Sequence, residues 1–481
     1  MKKTLLLLST LGLITATNCF AEPTSFSDEA NVKKTANEKG KKAAEMPNVI
    51  ISGTILLCAD YTAPDVVYYD GENAMTQVKD VSLIQKTATE RANKDTSMMR
   101  FGAGDTADLV FTVIGKTENN WVYGAKVDLL VMRGETGADK MYGFFERNNI
   151  GTLNFGNLRG PECSMLCGGQ ELIGGASGLN EILPENLDLA TGVVGPVNVI
   201  GYSSRATKAI YYSPVIHGFQ AGVSITPDTK HQGRNSKDWH TGNSGNGNDS
   251  GLFNATPTEA PSGRNNMVFA LSHSAKLNDD WSTKFTGLYL MENTQPINVN
   301  TCINKDIAAN GATPAGTALS KIPLRNASAY QMTGTISYRN WSLGCGYLNN
   351  GKSRLPKLSA YTNSDRQMII PGGFITTKDG DAGQAWNVGL KCKLNEKWTV
   401  AGVYHNTSRK ITATEKARGD IFTVTCDYLI CSGLKVFLEI DQAITRSSDT
   451  ACQLHNLFQT KKIAIRKQNS TLISVGAVIN F

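Results

Sequence analysis

Past residue 20 the chain has no run of eighteen or more apolar residues, so no transmembrane helix is encoded there. Proline is sparse, at 15 in 481 residues against 46 glycines, and the length fits one large domain or two or three ordinary ones. The six histidines stand apart, none at metal-ligand spacing, and Gly-x-Ser-x-Gly does not occur. No catalytic residue, metal or cofactor is therefore assigned, and the chain is not read as an enzyme. Gly102-Ala-Gly-Asp-Thr-Ala107 meets a loose glycine fingerprint, but no helical pattern follows it, and it reads as the entry to a strand. Excess charge is also small. The formal +6 falls to +4 without Lys2 and Lys3, too little and too scattered for a nucleic-acid partner.

What is present is alternation. In the last twelve residues, Ser470–Phe481, the apolar positions Ile473, Val475, Ala477, Ile479 and Phe481 recur at every second residue with Thr471, and the other face is mixed. This is an amphipathic strand of the length a tilted bilayer crossing requires, about 9–11 residues. A closed barrel is the only way besides a helix to span lipid. The same pattern recurs in fifteen further segments: Val49–Ala59, Thr106–Lys116, Trp121–Met132, Lys140–Arg147, Ile150–Leu158, Lys208–Ser213, Phe219–Thr226, Asn266–Leu277, Trp281–Met291, Ser328–Arg339, Trp341–Leu348, Gln384–Leu394, Lys397–Asn406, Asp420–Leu429 and Gly433–Thr445. Tight connections rich in Asn, Asp and Gly, suited to hairpin angles, alternate with long ones: Tyr61–Asp105, Arg159–Thr207, Pro227–Asn265, Glu292–Ala327, Asn349–Gly383 and Arg446–Asn469, with shorter ones at Arg133–Asp139 and Ser408–Gly419. Trp121, Trp281, Trp341 and Trp398 all lie beside tight turns. An interfacial aromatic girdle gathers such residues at one end. The fold class expected is all-β, a transmembrane antiparallel barrel of 16 strands. Its tight turns and both termini face the periplasm.

The first residues have the form of a secretory leader. Basic Lys2-Lys3 precedes an apolar core from Leu5 to Ile14, and Cys19-Phe-Ala21 places small residues where a signal peptidase inspects them. A signal peptide over residues 1–21 is expected, with lipidation at Cys19 as the alternative. Residues 22–47 form a polar, Lys- and Ala-rich block that cannot bury a core, read as a solvated periplasmic segment or as a contact to the cell wall. The barrel domain is assigned to 48–481. The polar tract Asn243–Asp249 reads as a surface loop, with calcium binding as the alternative.

Lys208-Ala-Ile-Tyr-Tyr-Ser-Pro214 followed by Gly218-Phe219 resembles the strand, Ser-Pro, turn, Gly-Phe hairpin of the general trimeric porins of the Gram-negative outer membrane. Phe144–Gly156 with Asn157-Leu-Arg159 resembles the strand pair that leads into their constriction loop, and terminal Phe481 resembles their assembly signal. The resemblance spans Asn48 to Phe481. It implies a homotrimer in outer-membrane lipid, each barrel passing small polar solutes and ions by passive diffusion, with the third long loop folded inward to narrow the pore. By count that loop is about 159–207. Its candidates are Arg159, Glu162, Glu171, Glu181, Glu185, Asp188 and Arg205.

Parity nominates inward charges on the strands: Lys126, Asp128, Lys208, Lys276, Lys284, Arg339, Lys391, Lys435 and Glu439. Along Leu434–Gln442 it puts Leu434, Val436, Leu438 and Ile440 outward. Ten cysteines less Cys19 leave nine, an odd number. Cys163 and Cys167 share one exported loop, where a disulfide or two free thiols are both open. Cys345, Cys392 and Cys426 fall on outward positions. A channel is the function expected. The alternative is a surface adhesin or wall-tethering protein that uses the barrel as a platform.

Overall fold

The structure, a computed structural model, describes residues 45–68, 98–132, 135–175, 205–229, 263–298, 303–304, 321–355, 357, 368–370, 374–376, 379–447 and 465–481. Sixteen strands make one closed antiparallel barrel, each paired with the next and the last with the first. They are β1 (Glu45–Tyr68), β2 (Met98–Lys116), β3 (Val122–Met132), β4 (Glu135–Arg147), β5 (Gly151–Asn157), β6 (Thr207–Tyr212), β7 (Phe219–Asp228), β8 (Gly263–Lys276), β9 (Trp281–Thr294), β10 (Ala327–Tyr338), β11 (Trp341–Asn349), β12 (Gln384–Lys393), β13 (Trp398–Lys410), β14 (Lys416–Cys431), β15 (Leu434–Arg446) and β16 (Ile465–Asn480). Among the described residues no helix is long and apolar enough to cross a membrane.

Every expected strand is present, and several run further than expected. Connections read as Arg133–Asp139 and Ser408–Gly419 are largely strand, because β4 begins at Glu135 and the β13–β14 pair continues to Lys410 and Lys416. The sequence there turns polar while the ladder of hydrogen bonds continues. Alternation marks where a strand meets lipid and does not mark where pairing stops. β1 likewise starts at Glu45, inside the block read as a polar segment.

The two faces follow from period two. On β9, Phe285, Tyr289 and Met291 are exposed, whereas Thr286, Leu288, Leu290 and Glu292 between them are buried. On β10, Tyr330, Met332 and Ile336 are exposed against buried Gln331 and Thr333. On β15, Ile440 is exposed and Leu438 partly so, but Val436 is buried although it shares their parity. So many large apolar side chains facing out are what lipid covers, and water would not tolerate them as a continuous band. Cys345, Cys392 and Cys426 lie on this outer face.

Two aromatic belts bound the band. Asn278 Oδ1 accepts from the N–H groups of Asp280 and Trp281 at 2.9 Å each, and Asn395 Oδ1 accepts from Lys397 and Trp398 at 2.8 and 2.9 Å. These two turns deliver Trp281 against Tyr338 and Trp398 against Tyr428, with ring centroids 4.5 and 4.7 Å apart. The opposite belt pairs Tyr330 with Tyr347 and Trp386 with Tyr404. From Trp281 to Tyr289 the strand advances about 26 Å, or roughly 20 Å along the barrel axis at a tilt near 40°, close to the ~25 Å apolar band of outer-membrane barrels.

Closure is made at the chain's end. Phe481 N donates to Gly53 O at 3.1 Å, and its carbonyl accepts from Gly53 N at 2.9 Å. A Cβ on Gly53 would come within 2.5 Å of the Phe481 ring, so only glycine leaves room for it.

Candidate functional site

The functional surface of a barrel is its inner wall. The connection after β5 begins on it: Gly160 leads into one helical turn, α1 (Pro161–Ser164), and a 3-10 turn follows at Gln170–Leu172. Ser164 Oγ lies 2.6 Å from the Tyr212 hydroxyl on β6. Met165 O accepts from Thr286 Oγ1 on β9 at 2.6 Å, and Cys167 N donates to Thr333 Oγ1 on β10 at 3.3 Å, while Thr335 Oγ1 donates to Cys167 O. Gly169 N donates to Asn387 Oδ1 on β12 at 3.0 Å, then Gly174 N to Thr425 Oγ1 and Gly175 N to Asp427 Oδ1 on β14 at 3.2 and 3.0 Å. Every wall partner from β9 to β14 belongs to the row opposite the exposed apolar one. Gly160–Gly175 therefore lies along the inner face, bonded from β6 to β14.

Apolar packing accompanies these bonds. Tyr142, Phe144, Ile210, Tyr212, Val268, Leu288, Leu290 and Leu348 point inward and cluster with Met165 of the segment, with Leu158 just before it, and with Leu324 and Leu355. The resemblance implied a water-filled pore, and this part of its wall is apolar and covered by packed side chains.

The nominated charges divide by location. Asp128 pairs with Lys140 at 3.3 Å, and Asp427 pairs with Lys435 at 3.5 Å with Lys391 also within electrostatic reach. Asp128, Lys208, Lys435 and Glu439 are on the inner row but almost wholly buried, Lys208 at 2% exposure and Glu439 at 0%. Lys126 is half-buried beside Tyr142 and Thr112. Lys284 lines an open pocket of about 340 Å³ with Lys276, Ser274, Ser282, Thr335 and Ser337. Lys276 is exposed at the strand's end and bonded to Asp279 at 2.8 Å.

Arg339 is placed differently from its nomination. It lies in the turn between β10 and β11 with φ 49°, and its guanidinium holds Asp280 of the neighbouring turn at 3.0 and 3.2 Å. Parity was extended one residue past the strand, into a turn that no longer obeys it.

On the segment, Glu162 is buried and folded back over Gly160, and Arg159 and Arg205 are half-buried. Glu171 accepts from Gly168 N at 2.5 Å; burial raises its carboxyl pKa, while that hydrogen bond and the positive charge of Lys284 act to lower it. Glu181, Glu185 and Asp188 lie outside the described residues, as do most of 159–207 beyond Gly175, the leader, residues 22–44 and Asn243–Asp249.

The disulfide alternative is corrected. No disulfide joins Cys163 to Cys167. Cys163 is in α1, whereas the Cys167 sulfur is turned into the wall, 3.5 Å from both Thr286 Oγ1 and Thr333 Oγ1.

One cluster joins residues that no sequence pattern connects. Glu292, at 0% side-chain exposure, takes a two-pronged bond from Arg354 at 2.6 and 2.8 Å and a third from Asn266 Nδ2 at 3.1 Å. Glu292 could be found by parity on β9. Arg354 lies in a long connection, where no periodicity predicts a partner.

A closed 16-stranded barrel with an oily outside, aromatic belts and a loop segment bonded to the inner wall defines an outer-membrane β-barrel. The sequence profile of the Gram-negative porins matches residues 66–448, most of the chain, and the protein belongs to that family. It is an outer-membrane channel for small solutes. No curated protein matches it. Solved structures similar to it include an anion-selective porin from Comamonas acidovorans (11% identity over 90% of this chain and 100% of that one, TM-score 0.49). Others are the outer membrane channel DcaP of Acinetobacter baumannii (10%, 91% and 98%, TM-score 0.47) and Salmonella typhi OmpF (9%, 90% and 97%, TM-score 0.46).

Proposed function

We propose that the channel is a passive, water-filled diffusion pore for small hydrophilic solutes and ions, assembled as a homotrimer, in which the connection after β5 narrows the lumen. The reading is supported by one observation above all: Gly160–Gly175 is bonded to the inner face on strand after strand. A rigid segment across a wet lumen sorts solutes by width and by the charges it presents. Those charges are Glu171 facing Lys284, together with Lys391 and Lys435 around Asp427. Because they are opposed pairwise, ion selectivity is weak, with a slight preference for anions. The leader is removed after Ala21, and the polar block that precedes β1 lies on the periplasmic side in reach of the cell wall.

Planar-bilayer recording tests the channel, and chemical crosslinking of the native protein tests the trimer. Stable single-channel steps and a graded exclusion of sugars are expected. A silent barrel would favour the adhesin reading. Crosslinked species no larger than one chain would remove the trimer.

A further inference from the structure

The segment meets the wall backbone to backbone at four glycines. A Cβ built on Gly389 of β12 would lie 2.4 Å from Gly169 O, and one on Gly344 of β11 would lie 2.6 Å from Gly168 O. Seen from the other side, a Cβ on Gly169 would lie 2.5 Å from Gly389 N and 2.9 Å from Gly344 O. These neighbours are backbone atoms of a hydrogen-bonded wall and cannot rotate away as a side chain end does. The approach is fixed on both flanks by the Cys167 bonds to Thr333 and Thr335 and by the bond from Gly169 to Asn387. No larger residue fits at the wall positions without moving the segment.

We propose that Gly344 and Gly389 form a seat on the inner wall, into which Gly168-Gly169 dock backbone to backbone, and that this seat sets how far the segment stands from the wall and so the width of the pore. The inference rests on the reading that the segment narrows the lumen. Gly344 and Gly389 act through the segment and are positioning residues. With β11 and β12 fixed in the sheet, a methyl group at Gly389 leaves the segment one direction of retreat, towards the barrel axis.

The test compares Gly389→Ala, Gly169→Ala and Gly287→Ala in the full-length protein. Gly287 is the control, because a Cβ there meets nothing within 4 Å. Two readouts are taken: single-channel conductance in planar bilayers, and the alkylation rate of Cys167 by a hydrophilic maleimide, followed by peptide mass spectrometry. In Gly389→Ala and Gly169→Ala the conductance should fall by roughly a third as the narrowest section shrinks. The buried Cys167 thiol should react about tenfold faster as it leaves its pocket. Gly287→Ala should match the unsubstituted protein in both. Faster alkylation with unchanged conductance would uphold the seat and refute the narrowing. Unchanged alkylation and conductance in both seat variants would overturn the seat. Gly169 lies outside every strand, so its variant keeps the test decisive if Gly389→Ala does not fold.

Discussion

The inner wall holds the same segment by two chemistries. Along β4 to β11 it offers Tyr142, Phe144, Ile210, Val268, Leu288, Leu290 and Leu348, and the segment answers with Met165, joined by Leu158 just before it. On β14 and β15 it offers Thr423, Thr425, Asp427, Lys435, Glu439 and Asp441, and the segment answers with the backbone N–H groups of Gly174 and Gly175. Apolar packing carries more free energy per residue and little direction, whereas hydrogen bonds carry less and fix position. Apolar packing therefore supplies most of the hold and the hydrogen bonds the register; bonds also run through the apolar half at Thr286, Thr333 and Thr335, and Ile173 packs with Val403, Ile421, Ala443 and Leu472 in the polar half.

The largest effect comes from breaking both halves together. Deleting Phe481 removes the two backbone bonds to Gly53 and the ring that covers it, opening the junction of β1 and β16. Most of the folded, heat-modifiable form should be lost in cells, as read from gel migration with and without heating. Normal migration would show that β16 closes the barrel without its last residue.

Next is the buried pair above the apolar half. Arg354→Ala leaves Glu292 charged and buried, and removing one partner of such a pair costs about 3–5 kcal/mol. The heat-modification midpoint should fall accordingly, and Arg354→Lys should restore only part of it because an ammonium cannot reproduce the fork. An unchanged midpoint would mean that water reaches Glu292.

The two chemistries can then be compared directly. Met165→Ala in the apolar cluster should cost about 2–5 kcal/mol, as core truncations do. Thr425→Ala removes one acceptor of Gly174 N and should cost about 0.5–1.5 kcal/mol. Equal losses in urea unfolding would erase the distinction between hold and register.

The outer face was legible because lipid imposes period two over most of the band, Val436 apart, and the Asn-led turns before Trp281 and Trp398 advertised themselves. The inner wall was legible only in part. Gly287-Leu-Tyr-Leu-Met291 is apolar on both faces, so its inward residues looked no different from its outward ones. Parity found Lys208 and Glu439 on the inner row and could not tell that they would be covered. The bond between Glu292 and Arg354 spans 62 positions and a long connection, a contact that only the closed barrel creates. The glycines at 344 and 389 read as small strand residues until the backbone opposite them was in place.

The smallest expected effect is on charge preference, and it sharpens the comparison furthest. Three inward acids have a cation nearby: Asp128 with Lys140, Asp427 with Lys435 and Lys391, Glu171 with Lys284. Fields from such opposed charges cancel beyond a Debye length, about 8 Å at physiological salt, so the reversal potential across a salt gradient should lie close to zero, slightly on the anion side. Substitution shows which charges the solute feels. Lys284 lines an open pocket below the Cys167 docking point, whereas Lys208 is almost wholly buried. Lys284→Glu places a second carboxylate beside Glu171 and should move the reversal potential clearly towards cations. Lys208→Glu should move it less and lower the heat-modification midpoint more, since an acid there replaces a buried base. A larger potential shift from Lys208→Glu than from Lys284→Glu would place the permeation path against β6 and away from the open pocket at Lys284.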